Sequence, residues 1–187
     1  MVESRRWAAD VEQPKLSRET TQVLNYLNVL NPRPSISAVE VDSSHPTNQL
    51  YRALFSTKEY EFFQGWDSTT KPENQLLWVR GEPGVGKTML LTGTVRALLS
   101  ATARDESDRC FLSFYFFDHA KKGSNNAASA LRTIIWLILV YQPDLCTHLT
   151  RKLDSTRRRH LNDPNDFLAL SAIFYDMIED ERLAKHI

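Results

Sequence analysis

The chain has 187 residues, with 23 Lys and Arg balanced by 23 Asp and Glu, two cysteines, and apolar residues at 42%. This size suits one domain with at most a short extra segment, and the apolar share is enough for a core, which excludes wholesale disorder. A formal net charge of zero gives no overall basic field, which argues against a protein that coats nucleic acid. Cys110 and Cys146 make no disulfide framework, so a reducing compartment is expected. The most apolar run, Ile134–Val140, falls far short of the ~20 residues that span a bilayer. The first residues, MVESRRWAADVEQPK, lack the apolar stretch of a secretory signal. The expectation is a soluble, cytoplasmic protein with no membrane partner.

In chain order, residues 1–16 are polar and read as a flexible N-terminus. Leu16, Thr20, Val23, Leu24, Leu27 and Leu30 then recur at helical spacing, with Ser17 as N-cap and Pro32 and Pro34 as the stop. Residues 31–48 are rich in Pro, Ser and Asn and read as a connector. Residues 49–66 predict one or two short helices, with Leu50, Leu54, Phe55, Phe62, Phe63 and Trp66 as apolar contacts, and 67–74 predict a loop. Residues 17–74 thus form a helical lead-in.

From residue 75 the pattern alternates. Gln75–Arg80 is a short apolar run bounded by turn residues, which predicts a buried strand. A glycine-rich turn follows at 81–87, then a helix over 88–101 with Leu90, Leu91, Val95, Leu98 and Leu99 as its stripe. Residues 110–117 (CFLSFYFF) predict a second buried strand, rich in aromatics. After a polar loop at 118–126 come a long buried helix over 127–141, ended by Pro143, and a shorter one over 144–153. Asp163 as cap and Pro164 at the first helical position start a last helix, carried by Phe167, Leu170, Ile173, Phe174, Met177 and Ile178.

One motif carries chemistry. Gly81, Glu82, Pro83, Gly84, Val85, Gly86, Lys87 and Thr88 match G-x-x-x-x-G-K-[ST] in full, with a predicted strand before and a helix, entered through Met89, after. The glycines allow turns that a Cβ resists and leave room for close approach. Backbone N–H groups of the loop then converge on phosphate oxygens, and the dipole of the following helix favours the same anion. Lys87 reaches the β- and γ-phosphates, and the Thr88 hydroxyl is the metal ligand, for Mg²⁺, an ion that otherwise holds water and phosphate oxygens. A chance match in a chain this long has odds of roughly one in a hundred.

Other constellations are weaker. Arg151, Lys152, Arg157, Arg158, Arg159 and His160 read as a solvated linker with cations near a helix C-terminus. His45, His119, His148, His160 and His186 are scattered, suggest no metal site and read as surface residues. Cys110 reads as inert packing. Hydrolysis by such a loop needs an acidic residue after a second apolar strand. Asp176 stands in a helix-periodic stretch and reads as a helix-surface residue, whereas Asp118, at the end of the second predicted strand, is the other candidate. The catalytic residues stay unassigned.

The stretch LLWVRGEPGVGKTMLL, followed by FLSFYFFDHAKKGSNNAASALRTIIWLILVYQPDL, resembles the fungal NACHT-type NTPase domains of the STAND signalling class, also described as nephrocystin-3-like N-terminal domains. The likeness covers roughly residues 17–180 and is tightest at 75–145. It rests on Leu-Leu-Trp before the glycine loop, on Phe-Phe closing the aromatic stretch, and on Asn125-Asn126-Ala127 leading into a helix with Leu131-Arg132 that ends at Gln142-Pro143. Tyr60 and Trp66 match a pattern that ends the family's preceding helices.

The resemblance implies an α/β fold: a partial P-loop NTPase of the three-layer αβα type behind the helical lead-in, with residues 75–187 as the N-terminal part of the NTPase domain. It implies ATP or GTP with Mg²⁺ as ligands, and protein partners in the form of effector and repeat domains in longer relatives. The family's Walker B strand would follow about where the sequence stops, Ala184–Ile187 giving its approach. The chain therefore reads as truncated before that strand, which leaves hydrolysis in doubt. A nucleotide-binding signalling module is the expected function. The alternatives are a stand-alone small-molecule P-loop kinase and a non-catalytic interaction remnant.

Overall fold

A computed structural model describes residues 17–29, 31–32, 36, 52–64, 76–104, 110–118, 123–152, 167–183 and 185–186. The predicted N-terminus 1–16, the loop 67–74, the basic stretch 154–162 and the Asp163-Pro164 helix start lie outside these residues. The elements are helices α1 (Arg18–Leu27), α2 (Lys58–Gln64) and α3 (Lys87–Arg104), strand β1 (Cys110–Phe111), helix α4 (Ala127–Tyr141), a 3₁₀ turn (Pro143–Leu145), helices α5 (Cys146–Lys152) and α6 (Phe167–Ile178), and strand β2 (Lys185–His186). The chain divides into two compact units, one of residues 1–32 with 101–187 and one of 33–100.

In the first unit, α1 starts as its sequence dictates. The Ser17 hydroxyl accepts from the Thr20 N–H at 3.0 Å, satisfying one of the orphan donors of a helix start. Its end differs from expectation: Asn28 takes φ 48° and donates its N–H to the Asn25 carbonyl at 3.1 Å. The helix therefore stops at a left-handed cap before either proline is reached.

Helix α4 matches its predicted span. Asn126 caps it by accepting from the Ser129 N–H at 2.8 Å, and Ile135, Ile138 and Leu139 are fully buried. Around them pack Val23, Leu24 and Leu27 of α1, Leu145 and Leu149 of the next turns, Leu170, Ile173 and Met177 of α6, and Phe111 of β1. Each such side chain contributes about 1.5–3 kcal/mol of transfer free energy, so the core of this unit is a helical cluster centred on α4.

Among the described residues, the predicted second strand is in a ladder only at its start. Cys110 pairs with Lys185 and Phe111 with His186, in parallel. Residues 112–118 continue without ladder bonds. A parallel pair needs a long crossover, and here helices α4 to α6 provide it.

Histidine 148 is not the surface residue its isolation suggested. Its Nε2 lies 2.7 Å from Asp180 Oδ2, and the side chains are 15% and 12% exposed. Arg182 also binds the Asp180 carboxylate, through its N–H and Nε at 2.9 Å and its Nη2 at 2.6 Å. The Arg182 and His148 bonds hold the Asp180 carboxyl well below the ordinary carboxylate value of 3.8. A folded-state pKa below the unfolded one means the network stabilises the fold fully above that value and loses its contribution as acid protonates the folded chain. Asp180→Asn should therefore flatten the fall in stability on acidification below pH 3.8, read by urea unfolding at stepped pH, with little change in the shape of the profile at neutral pH.

In the second unit, 52–55 and α2 form the expected pair of short helices. The buried aromatic among the described residues of this unit is Tyr60, its ring tilted against that of Phe55 with centroids 4.5 Å apart, whereas Phe62 is 61% exposed. The α3 stripe is also rotated from expectation. Thr92 and Thr94 are buried and Leu91 faces solvent. Thr92, Gly93 and Thr94 are buried in succession, whereas Leu90 is half-buried.

Candidate phosphate-binding loop

Residues 76–80 run into the loop without ladder bonds among the described residues, and their burial alternates as along a strand. Leu76 and Trp78 are each 75% exposed, while Leu77 and Val79 are half-buried. Arg80 carries its guanidinium carbon 5.0 Å from the centre of the Trp78 ring, within cation–π range.

The chain then turns through Gly81–Gly86 and enters α3 at Lys87. Gly84 and Gly86 take φ 81° and 90°, a region that side chains resist. At Gly81 the constraint is milder: a Cβ there would stand 3.1 Å from Val85 Cγ2, and the exposed valine would have to give by a few tenths of an ångström. No atom lies within 4 Å of a Cβ built at Gly84 or Gly86, so the cost of alanine at either is conformational alone. Gly84→Ala or Gly86→Ala should each cost about 1–2 kcal/mol, lower the thermal midpoint by a few degrees and weaken any ligand that reads the loop N–H groups. Ligand titration beside thermal unfolding checks this.

Lys87 folds back over the loop. Its Nζ donates to the Gly81 carbonyl at 2.8 Å and to the Glu82 carbonyl at 2.7 Å. An ammonium has three donors, so two hold the loop and the third, with the charge, is left for an anion. The Leu90 N–H donates to the Gly86 carbonyl at 2.9 Å, which begins the helical ladder. The first N–H groups of α3 precede that ladder's reach and have no intrahelical acceptor. Glu82, Pro83, Val85 and Thr88 are exposed, and Met89 is half-buried. Trp78, Val79, Arg80, Gly81, Glu82 and Lys87 line a shallow, open concavity beside the loop.

The structure thus brings all nine loop residues singled out from the sequence into one turn and helix start. Among the other candidates, Asp176 is exposed on helix α6, and Asp118 ends the extended segment 112–118. Arg151 is exposed near the end of α5, while Arg157, Arg158, Arg159 and His160 lie outside the described residues. Among the described residues, no group of three or more His, Cys, Asp and Glu could hold a metal ion. Sequence reasoning missed the two carbonyl bonds of Lys87 and the Asp180 network. The first was implicit in a lysine following a tight turn; the second joins residues 32 positions apart and leaves no local signal.

A family model for nephrocystin 3, N-terminal, matches residues 52–187. Over 157 residues the chain is 30% identical to the vegetative incompatibility protein HET-E-1 of Podospora anserina, an alignment covering 84% of this chain and 11% of that protein. The chain thus spans about a tenth of the length of this relative. No solved structure matches the chain. Among the described residues no helix is long and apolar enough to cross a membrane. With a family match over most of its length, on the same residues that form the loop and the helices after it, the chain belongs to the nephrocystin 3, N-terminal family, a NACHT-type group.

Proposed function

We propose that this chain is the nucleoside triphosphate-binding part of a NACHT-type signalling NTPase, holding the phosphates of ATP or GTP on the loop 81–88 with Mg²⁺. The observation that carries the reading is the loop itself: two glycines at positive φ, a lysine bridging two loop carbonyls with one donor left over, and a helix starting at that lysine. Such an arrangement concentrates N–H groups, a helix dipole and a cation on one anion.

Thr88 is exposed at the start of α3, which suits a magnesium ion that takes one or two protein ligands and completes its shell with phosphate oxygens and water. Bound Mg²⁺ would neutralise phosphate charge; Lys87 and the loop N–H groups would orient the phosphates. The fold belonging to this reading is a P-loop α/β domain. The parallel β1–β2 pair joined through helices is the kind of connection such sheets use. A cytoplasmic signalling role, with effector or repeat domains as protein partners, is part of the same proposal and rests on the family. Asp176, on an exposed helix face, offers no support for a water-polarising role.

The test is titration of the purified chain with fluorescent ATP and GTP analogues, with and without Mg²⁺, alongside circular dichroism. Saturable Mg²⁺-dependent binding is expected. A helical, folded chain that binds neither analogue overturns the reading.

A further inference from the structure

Among the described residues, strand β2 pairs with β1 in parallel, Lys185 with Cys110 and His186 with Phe111. The residues just before β2 are fastened independently of that ladder.

Asp180 receives Arg182 and His148 together: Arg182 N–H and Nε at 2.9 Å on Oδ1, Arg182 Nη2 at 2.6 Å and His148 Nε2 at 2.7 Å on Oδ2. An ionised carboxylate only accepts, so His148 carries its proton on Nε2. The turn is also tied from outside. The Gln142 side-chain amide donates to the Arg182 carbonyl at 2.9 Å, and Arg182 Nη1 reaches the Asp144 carbonyl at 3.5 Å. Leu183 then packs against the helical core. These partners come from the end of α4, the 3₁₀ turn and α5, so residues 180–183 are fastened to the corner between those helices.

We propose that this Asp180-centred network is a clasp that sets the place and register of β2 beside β1, and that it is the release point of that pair. With 180–183 fixed, Lys185 and His186 start from a placed turn when they pair with β1. With the clasp open, β2 leaves β1 while the cluster around α4 stays packed. This inference does not depend on nucleotide binding.

Amide hydrogen exchange on the full chain tests it. Asp180→Asn keeps the shape of the side chain and removes its charge. It should raise exchange in β1 and β2 by on the order of tenfold, with the strand amides remaining less protected than those of α4, and it should lower the urea midpoint at neutral pH because the ionised network is lost. His148→Gln, which touches one of the bonds alone, should do the same to a smaller degree and serves as the readout if Asp180→Asn does not fold. Strand amides that exchange only together with α4, by global unfolding, in the unaltered chain, or strand exchange left unchanged by Asp180→Asn, overturn the proposal. So does a β1–β2 pair that is unprotected in the unaltered chain.

Discussion

Replacing Lys87 with alanine should weaken Mg²⁺-dependent nucleotide binding roughly ten- to a hundredfold, the loss expected for one hydrogen bond to a charged group. The geometry explains why the effect falls on binding and not on folding. Lys87 is partly exposed, and its two partners, the Gly81 and Glu82 carbonyls, are exposed as well. Without the ammonium both carbonyls turn to water, so neither is left buried and unpaired. What is lost is the cation and its third donor. Lys87→Arg should fail to restore binding, because a planar guanidinium cannot place two donors on adjacent carbonyls and a third outward as a tetrahedral ammonium does. Arg151→Ala, on α5 and exposed, is the control and should bind as the parent does. Titration of each variant with the two fluorescent analogues, beside its thermal unfolding curve, gives the comparison. Equal affinities for the Lys87→Ala variant and the parent would sink the phosphate role of the loop.

The parts legible in the sequence are those set by neighbours along the chain. The span of α4 follows from fifteen residues of apolar periodicity between Asn126 and Gln142, and the α1 start follows from Ser17. The loop at 81–88 is legible because its chemistry is local: glycine for the turn, lysine and threonine at the helix start. Pairings between distant residues were not legible. Strand runs at 75–80 and 110–117 were expected from composition, yet a ladder needs a partner, and of these only Cys110–Phe111 has one among the described residues. The packing of α1 on α4 and the His148–Asp180 contact likewise depend on which segments meet. The exposed Phe62 and Leu91 show the same limit: hydrophobic residues mark a face, but the neighbours available decide how much of it is covered.

Helix α6 offers the sharpest contrast in stability. Leu170 is fully buried and Leu168, two positions earlier, is 79% exposed. Leu170→Ala should cost about 2–5 kcal/mol, because the lost methyl groups leave a cavity among side chains of α4 and α6 that relaxes only in part. Leu168→Ala removes the same atoms from a site already in water and should stay within about 0.5 kcal/mol. Both exchange leucine for the better helix former, so helix propensity cannot account for a difference between them. Urea unfolding followed by circular dichroism reads both, and the slope of the transition shows whether the unfolded state changed as well. Equal costs at the two positions would mean that the outward face of α6 is covered in solution, and the core centred on α4 would then extend beyond the residues assigned to it.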